Sequence, residues 1–497
     1  MRFFKVICVM ALVLAVSAIA YAETQSVKVS GDIGLRTFAR DNYDLNKNDA
    51  EGANGTQSSD WATYLMSTAE VQIDADLTDN VSGVIRLVNQ RVWGDQLYNS
   101  EANGELGTTH WPYTDRVNAR RVAPGADSFD IEVDLAYIEL KEFLYSPLTL
   151  RIGRQDLWFG KGFIVGANLQ VPNANIYAPE YTAIRSFDAI RATLDYDPWT
   201  IDAVFAKISE NFRRSDDDTN LWGLNVGYVF DQYNAEMEGY WWYKQDRYTG
   251  SGNNASGNLI NVQNGADSND VQTFGLRGSF DPIEDWTVAA EAAYQFGQYL
   301  GPDPANAPQV HQRDRSAWAI DAMVECRYFQ EDYAWRPVLA AEYIFYSGED
   351  NIGPNNRSNN GNYTGWDPMF RGKFDTAIRE FQNVFYRTWV PSTPSYTNQH
   401  QMLFWATVEP TDSITFTAKY GQFWLANAFA NNSDFGGGVA QNTAKHVGAE
   451  LDLMLTWDYT EDVSFDLLTG WFFPGNTFGQ EADSVATDVV GSVKLSF

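Results

Sequence analysis

KHVGAELDLMLTWDYTEDVSFDLLTGWFFPGNTFGQEADSVATDVVGSVKLSF, residues 445–497, alternates apolar and polar side chains in three successive runs. A period of two places alternate side chains on opposite faces of a β-strand. In the first run, one face reads Val447, Ala449, Leu451, Leu453, Leu455 and Trp457, and the other reads Gly448, Glu450, Asp452, Met454, Thr456 and Asp458. The first face suits hydrocarbon and the second suits water, so each run predicts one strand of a membrane-embedded wall.

The same alternation recurs along the chain and predicts further strands. In the second of them, Ala69, Val71 and Ile73 alternate with acidic and amide side chains. We place eighteen strands, an even number as bacterial barrels require, with sixteen as the alternative. They are 26–41, 61–78, 81–95, 130–143, 147–159, 187–197, 199–211, 220–232, 234–247, 270–282, 285–300, 315–330, 335–348, 398–411, 412–426, 443–459, 462–475 and 484–497.

The connections between these strands alternate strictly between short and long. The largest are 42–60, 96–129, 160–186, 248–269 and 349–397. Short periplasmic turns and long external loops are typical of an up-and-down antiparallel transmembrane β-barrel, with both termini periplasmic. Loop 349–397 carries its own aromatic cluster, so we expect it to enter the barrel mouth or to pack on its rim.

The amino terminus predicts export. Arg2 and Lys5 precede an apolar run over 6–19, and Ala20-Tyr21-Ala22 forms a small-x-small cleavage site. Residues 1–22 are therefore interpreted as a cleaved signal peptide, and 23–497 as a single barrel of a Gram-negative outer membrane.

Composition excludes several classes of function. The net charge is −30, which argues against nucleic acid as a partner. The four histidines are far apart in the sequence. Of the two cysteines, Cys8 lies in the predicted signal peptide, and Cys326 lies in the predicted barrel. No spacing indicates a metal site, a cofactor or a catalytic constellation, so we predict that the protein is not an enzyme.

Charged residues on the polar faces are candidates for the pore lining, because rings of charge select solutes in channels. Most of them are expected to pair across neighbouring strands and stabilise the wall. The candidates selected by alternation are Arg86, Arg151, Arg191, Arg277, Glu132, Asp134 and Glu291.

Several short motifs resemble the bacterial alginate-export outer-membrane family. They include LRIGRQDLWFGKGFIVG at 150–166, RSFDAIR at 185–191, GAELD at 448–452 and WFFPG at 471–475. The resemblance implies an eighteen-stranded barrel that passes an anionic polysaccharide through an arginine-bearing pore. By position, Arg151, Arg154, Arg191 and Arg277 correspond to its basic lumen or rim residues. The excess of inward acidic residues departs from that expectation.

Three functions follow as hypotheses. The first is a passive channel for polysaccharide or small polar solutes, and the second is a general or cation-preferring porin. The third is a non-conducting barrel that serves as an adhesion or assembly scaffold. The expected partners are outer-membrane lipid, the barrel-assembly machinery acting through Phe497, an anionic polysaccharide and periplasmic export proteins.

Overall fold

The computed structural model describes most of the chain between residues 25 and 497. The described residues are 25–43, 45, 62–93, 131–145, 147–169, 178–210, 218–246, 252–253, 259–260, 269–302, 310–330, 333–349, 361–380, 396–428, 434–435, 439–440, 444–477 and 484–497. The predicted signal peptide 1–22 and loop 96–129 lie outside them, as do most of 42–60 and 248–269. Within those ranges, no helix combines the length and the apolar character that a membrane crossing demands.

Eighteen antiparallel strands form one closed sheet, in which each strand pairs with the next along the chain and β18 pairs with β1. The strands are β1 Ser26–Asp41, β2 Ala62–Thr78, β3 Val81–Val92, β4 Glu132–Leu140, β5 Leu148–Gln155, β6 Phe187–Tyr196, β7 Trp199–Ser209, β8 Thr219–Phe230, β9 Ala235–Asp246, β10 Val271–Ile283, β11 Trp286–Pro302, β12 Val310–Cys326, β13 Val338–Tyr346, β14 Gln399–Thr411, β15 Ile414–Leu425, β16 His446–Asp458, β17 Val463–Pro474 and β18 Ala486–Ser496. The predicted all-β barrel is confirmed, and the sixteen-stranded alternative is wrong.

One end of the barrel carries short connections and the other carries long ones. We call them the short-turn end and the long-loop end. The prediction of strict alternation is wrong at one place. β11 and β12 pair as far as Pro302 and Val310, so their loop, 303–309, is shorter than the connection 327–337 at the opposite end.

The remaining regular elements are small. Among the described residues, two 3-10 helices span Pro179–Tyr181 and Asp231–Tyr233, and helical backbone occurs at 378–380. Two-residue hairpins within the long loops pair Gly252–Asn253 with Leu259–Ile260, and Asp434–Phe435 with Val439–Ala440.

Alternate residues of the wall face opposite sides, as the sequence predicts. On neighbouring β5 and β6, Ile152 lies opposite Ile190, and the two side chains are 42% and 45% exposed. Arg151 lies opposite Arg191 on the other face. Exposed apolar side chains suit lipid, so the outer face carries the isoleucines and the inner face the arginines.

A β-bulge near the long-loop end of β16 moves one side chain to the face opposite to the one that alternation predicts. The register between β15 and β16 shifts there, and Gly448 adopts a φ of +151°. An extra residue in one strand turns the following side chains to the other face. Val447 is consequently buried in the interior, whereas simple alternation places it in lipid.

The long-loop half of the barrel interior is filled. A first interior segment, 156–169 and 178–186, follows β5, and a second interior segment, 361–380, lies between β13 and β14. Their apolar side chains, including Phe163 and Phe370, join inward-facing residues of β6 to β18 in one hydrophobic core. Part of loop 349–397 therefore enters the barrel. Residues 381–395, which hold more of its aromatic cluster, lie outside the described residues.

The seam between β1 and β18 ends on a close contact between Gly31 and Phe497. Their backbone N–H groups each donate to the other residue's carbonyl oxygen at 2.9 Å. A Cβ atom on Gly31 would lie 2.4 Å from the Glu70 carbonyl oxygen and 2.7 Å from the Phe497 ring. Phe497 can pair with β1 at position 31 because the glycine there leaves room for its ring.

We expect Gly31→Ala to lower the free energy of unfolding by about 1–3 kcal/mol, since overpacking forces the backbone to shift. Gly491→Ala is the matched control on the same outer face of the seam, where no atom lies within 4 Å of an added Cβ. It should change stability by less than about 0.5 kcal/mol. Urea titration, followed by the different gel mobilities of the folded and unfolded barrel, measures the stability of both variants. An equal loss of stability in the two variants would contradict the explanation.

Candidate functional site in the barrel interior

The two interior segments bind each other through their backbones. Val165 and Phe370 form a parallel β-bridge. Phe370 N donates to Ile164 O at 2.9 Å, and Gly166 N donates to Phe370 O at 2.8 Å. A Cβ atom on Gly372 would lie 2.6 Å from the backbone carbon of Gly166, so this approach requires glycine. The segments form one unit inside the wall.

Asp367 anchors the second interior segment to β9 and β11. Lys244 Nζ lies 2.6 and 2.7 Å from the two carboxylate oxygens of Asp367. Gln295 donates to Asp367 O at 2.7 Å and accepts from Asp367 N at 2.9 Å. Burial alone would raise the pKa of Asp367, but the charges of Lys244 and Arg315 hold the pKa below its usual value.

Inward acidic residues of β12 and β13 bind the same segment through Lys373. Its Nζ atom lies 3.1 Å from Asp321 Oδ2 and 2.6 Å from Glu342 Oε1. Burial by itself would lower the pKa of Lys373, yet the surrounding carboxylates raise that pKa above its ordinary value. The lysine therefore stays charged and compensates two buried carboxylates.

Two further acidic residues, on β16, accept hydrogen bonds from the segment's backbone. Glu450 accepts from Ile378 N at 2.6 Å and from Arg379 N at 2.8 Å, and Asp452 accepts from Ala377 N at 3.1 Å. The first N–H groups of a helical turn have no partner within the turn. These carboxylates supply that partner, so their role in the described part of the chain is to hold the segment.

The end of the first interior segment binds β1 and β3. The Arg40 guanidinium contacts the Glu180 carboxylate and lies 3.3 Å from Asp488 Oδ1. Gln90 Nε2 donates to Thr182 Oγ1 at 2.9 Å. Burial raises the pKa of Glu180, while the charge of Arg40 opposes that rise.

A cavity of about 230 Å³ lies between residues 180–185 and the wall formed by β1, β2 and β18. Three buried polar atoms of its lining residues have no hydrogen-bond partner among the described residues. They are Arg36 Nη1, Thr68 Oγ1 and Glu180 Oε2. Buried polar groups are normally paired with protein or water, so this cavity is polar and open to a small ligand or solvent.

Two arginines at this cavity lack carboxylate partners in the described part of the chain. Arg36 lies over the Tyr181 ring, with 5.0 Å from Cζ to the ring centroid. Arg185 donates only to backbone carbonyls, at 2.9 Å to Thr182 O and 2.8 Å to Glu180 O. Burial lowers the pKa of Arg185, and the charge of Arg36 adds to that lowering, whereas the charges of Glu180 and Asp156 oppose it. The cavity therefore holds two arginines without a salt bridge among the described residues. Its three lining carboxylates, Asp32, Glu70 and Glu180, each have another basic partner.

The predicted pore-lining residues Arg86 and Asp134 face the interior and bind each other. Arg86 Nε lies 2.7 Å from Asp134 Oδ2, and Ser186 Oγ donates to Asp134 Oδ1 at 3.1 Å. Glu132 also lies on the inner face, opposite Val88. Among these, Arg86 and Asp134 connect the wall to the first interior segment.

Arg151, Arg191 and Arg277 likewise face the interior, and each is held by a carboxylate on a neighbouring strand. The partners are Glu139 Oε2, 3.0 Å from Arg151 Nε, Asp202 Oδ1, 2.7 Å from Arg191 Nε, and Glu236 Oε1, 2.6 Å from Arg277 Nη2. These pairs fit the expectation that most inward charges stabilise the wall.

Glu291 and Arg154 have different environments. Glu291 is buried on the inner face and accepts from the Tyr240 hydroxyl at 2.6 Å. Arg154 alternates with Arg151 and lies on the outer face, 3.4 Å from Asp188 Oδ1. It therefore does not share the inner face of the other predicted residues, because one step along a strand reverses the face.

Arg185 is absent from the predicted set, and Arg36, although alternation places it on an inner face, is not among the candidates singled out there. The cross-strand neighbours of Arg36 are the uncharged Met66 and Ser492. Arg185 stands in the RSFDAIR motif, in a segment that precedes β6. The register between strands decides whether an acidic side chain lies within reach of an inward arginine, and the sequence of one strand does not show that register.

Polarity and exposure change along the barrel axis. Near the short-turn end, the inward-facing Asp76 and Asp195 are exposed and Glu236 is partly exposed. Towards the long-loop end, Gln295 and Gln401 face inward and are fully buried. The interior is a solvent-exposed, acidic vestibule at the short-turn end and a packed core at the long-loop end.

Comparison with known proteins places this architecture in a recognised class. The family model described as alginate export matches residues 32–492. Acinetobacter baumannii OccAB4 has a TM-score of 0.51, with 10% identity over 96% of this chain and 99% of that chain. Pseudomonas aeruginosa OccK2 (OpdF) has a TM-score of 0.50, with 11% identity over 95% and 99%. OccK2 in complex with glucuronate also scores 0.50, with 12% identity and the same coverage. No curated protein matches the chain.

We expect Lys373→Met to lower the free energy of unfolding by about 3 kcal/mol, because it leaves Asp321 and Glu342 without their nearest cation. It should also make the second interior segment accessible to trypsin at Arg371. Lys141→Met is the control, since this exposed lysine lies 4.0 Å from Glu139 and such pairs contribute at most about 1 kcal/mol. Undiminished stability and protease resistance in Lys373→Met would contradict the anchoring role.

Proposed function

The chain belongs to the alginate-export family, and we propose that it is a passive outer-membrane channel whose solutes are anionic saccharides or small carboxylates. The family and the fold of the solved outer-membrane proteins support an outer-membrane barrel channel. The proposed route passes the cavity between residues 180–185 and the wall of β1, β2 and β18.

The observation that carries this proposal is the pair of arginines, Arg36 and Arg185, that form no salt bridge among the described residues. A guanidinium group presents a planar fork of donors that matches a carboxylate. Arg36 Nη1 has no partner among the described residues, so it offers a free donor beside the cavity. A sugar carboxylate moving past would find both charge and hydrogen-bond donors.

The acidic composition does not oppose this route, because many inward carboxylates already have partners. Asp321, Glu342, Glu450 and Asp452 hold the second interior segment. Their charge is compensated or hydrogen-bonded away from the cavity. The glucuronate named with the OccK2 structure belongs to the same chemical class as the solute proposed here.

The cavity size bears on the form of the solute. About 230 Å³ is smaller than the roughly 300–1,000 Å³ of pockets for drug-sized ligands. It suits one sugar unit or a small acid at a time. A polysaccharide would have to pass in single file, unit by unit.

A cation-preferring porin is the second candidate. The exposed acidic residues Asp76 and Asp195 near the short-turn end favour it, since acidic rings attract cations. A non-conducting scaffold is the third, favoured by the packed long-loop half of the interior. Ion selectivity and conductance separate these candidates.

We expect single channels in planar bilayers to lose anion preference by about threefold or more in Arg36→Gln and in Arg185→Gln, because each change removes an unpaired positive charge from the route. Arg154→Gln removes the same charge from the outer face and should leave selectivity within about 20% of the original channel. Cation selectivity that is equal in all four proteins would favour the porin, and no conductance would favour the scaffold.

We also propose that the long-loop end faces the cell exterior, with both termini periplasmic and Phe497 recognised by the barrel-assembly machinery. The exposed ring of Phe497 at the short-turn end supports that recognition. A cysteine at position 256, in loop 248–269, should react with an impermeant maleimide on intact cells. A cysteine at Asn80, in the turn between β2 and β3, should react only after the outer membrane is opened. The reverse pattern would overturn the orientation.

A further inference from the structure

The outer face near the long-loop end of β13–β16 carries a row of aromatic and basic side chains. Phe345 lies opposite His400, His400 opposite Trp424, and Trp424 opposite His446. The row therefore crosses four neighbouring strands at one height. The exposed Lys445 directly precedes β16 beside it. We call His400, His446 and Lys445 the basic patch.

The histidines of the basic patch are held in fixed orientations on the outer surface. The Tyr343 hydroxyl lies 2.7 Å from His400 Nδ1, and Gln422 Oε1 lies 3.1 Å from His446 Nε2. Each ring is anchored through one nitrogen, and the other nitrogen has no hydrogen-bond partner among the described residues. When Tyr343 donates to Nδ1, the Nε2–H of His400 is a donor available to a ligand.

The basic patch has no carboxylate partner among the described side chains. Lys445 Nζ donates to the Ala426 carbonyl oxygen, which leaves further donors of the ammonium group without a partner among the described residues. In a chain with a net charge of −30, a lysine and two imidazole rings collected without an acid indicate an anionic partner.

Another basic pair on the outer face shows the opposite arrangement. Arg154 lies 3.4 Å from Asp188 Oδ1, and Lys207 lies 2.6 Å from Glu210 Oε2 and also contacts Asp218. These residues also stand near the long-loop end of their strands, but their charge is neutralised within the chain. The basic patch differs because its compensation is missing.

We propose that the basic patch binds a phosphate group of the outer-leaflet glycolipid, lipid A. The row marks the level at which aromatic side chains meet lipid headgroups. Towards the membrane centre on the same face of β14, Met402 and Phe404 are 39% and 45% exposed, and they would contact its acyl chains. The proposal rests on the proposed orientation, since the long-loop end must lie in the outer leaflet.

The test uses the mature full-length protein, freed of lipid in detergent and titrated with lipid A under native mass spectrometry. We expect the double variant His400→Gln/Lys445→Gln to bind lipid A about tenfold more weakly, the loss of roughly one charge-assisted contact. Lys207→Gln is the matched control, because its lysine is already paired, and it should stay within about twofold of the unmodified protein.

The ligand series identifies what is recognised. Lipid A without its phosphates should bind the unmodified protein about as weakly as lipid A binds the double variant. Equal binding of the phosphorylated and dephosphorylated forms would overturn the proposal, and so would phosphatidylglycerol binding as tightly as lipid A. The double variant and the unmodified protein should have the same conductance in phospholipid bilayers. If the proposed channel function is wrong, both proteins will lack conductance, and this result is independent of lipid A binding.

Discussion

The constraint on which the structure depends is that hydrocarbon offers no partner to a backbone N–H or C=O group. Every strand must therefore be paired on both edges, and the first strand must meet the last. β1 and β18 meet this requirement from Asp32 to Asp41, and Gly31 extends the pairing to the final residue, Phe497.

Closure also encloses an interior. Once side chains and loops are confined there, their polar groups must be paired within a limited volume, and this second requirement shapes the site.

The interior meets that requirement with acidic residues. Glu450 and Asp452 bind the backbone of the second interior segment, and Asp321 and Glu342 bind its lysine. Removing one member of such a buried arrangement leaves an uncompensated charge at a cost of several kcal/mol. The acidic lumen is therefore in large part the binding surface of a structural element. The charge that a solute meets is set by the groups that this element leaves unpaired.

The sequence predicts the wall well because the wall obeys a single short-range rule. The first strand, 26–41, matches β1 residue for residue, and the alternation assigns Ile152 and Arg151 to their correct faces. The rule fails where an extra residue enters, as at Gly448 and Val447, and a bulge has no sequence signature strong enough to announce it. Arg154 shows a second limit of the sequence analysis. The family motif assigns it to the lumen or rim, whereas the two-residue period of β5 places its side chain on the outer face. The contacts of the interior segments were beyond prediction, because they join residues far apart in the sequence, such as Lys244 with Asp367 and Arg40 with Glu180.

The same distinction explains how a strongly acidic chain can present unpaired arginines in its interior. Net charge sums over loops, vestibule and buried anchors, and most of those charges are screened or paired before a solute reaches them. Arg36 lies opposite Met66 and Ser492, whereas Arg151 is held by Glu139. Both arginines occupy inward positions of their strands, and composition cannot tell them apart. What separates a structural arginine from one available to a solute is whether an acidic side chain lies within reach on a neighbouring strand, as Asp134 does for Arg86. Register, rather than the balance of acidic and basic residues, therefore decides which charges this barrel offers to the molecules that pass through it.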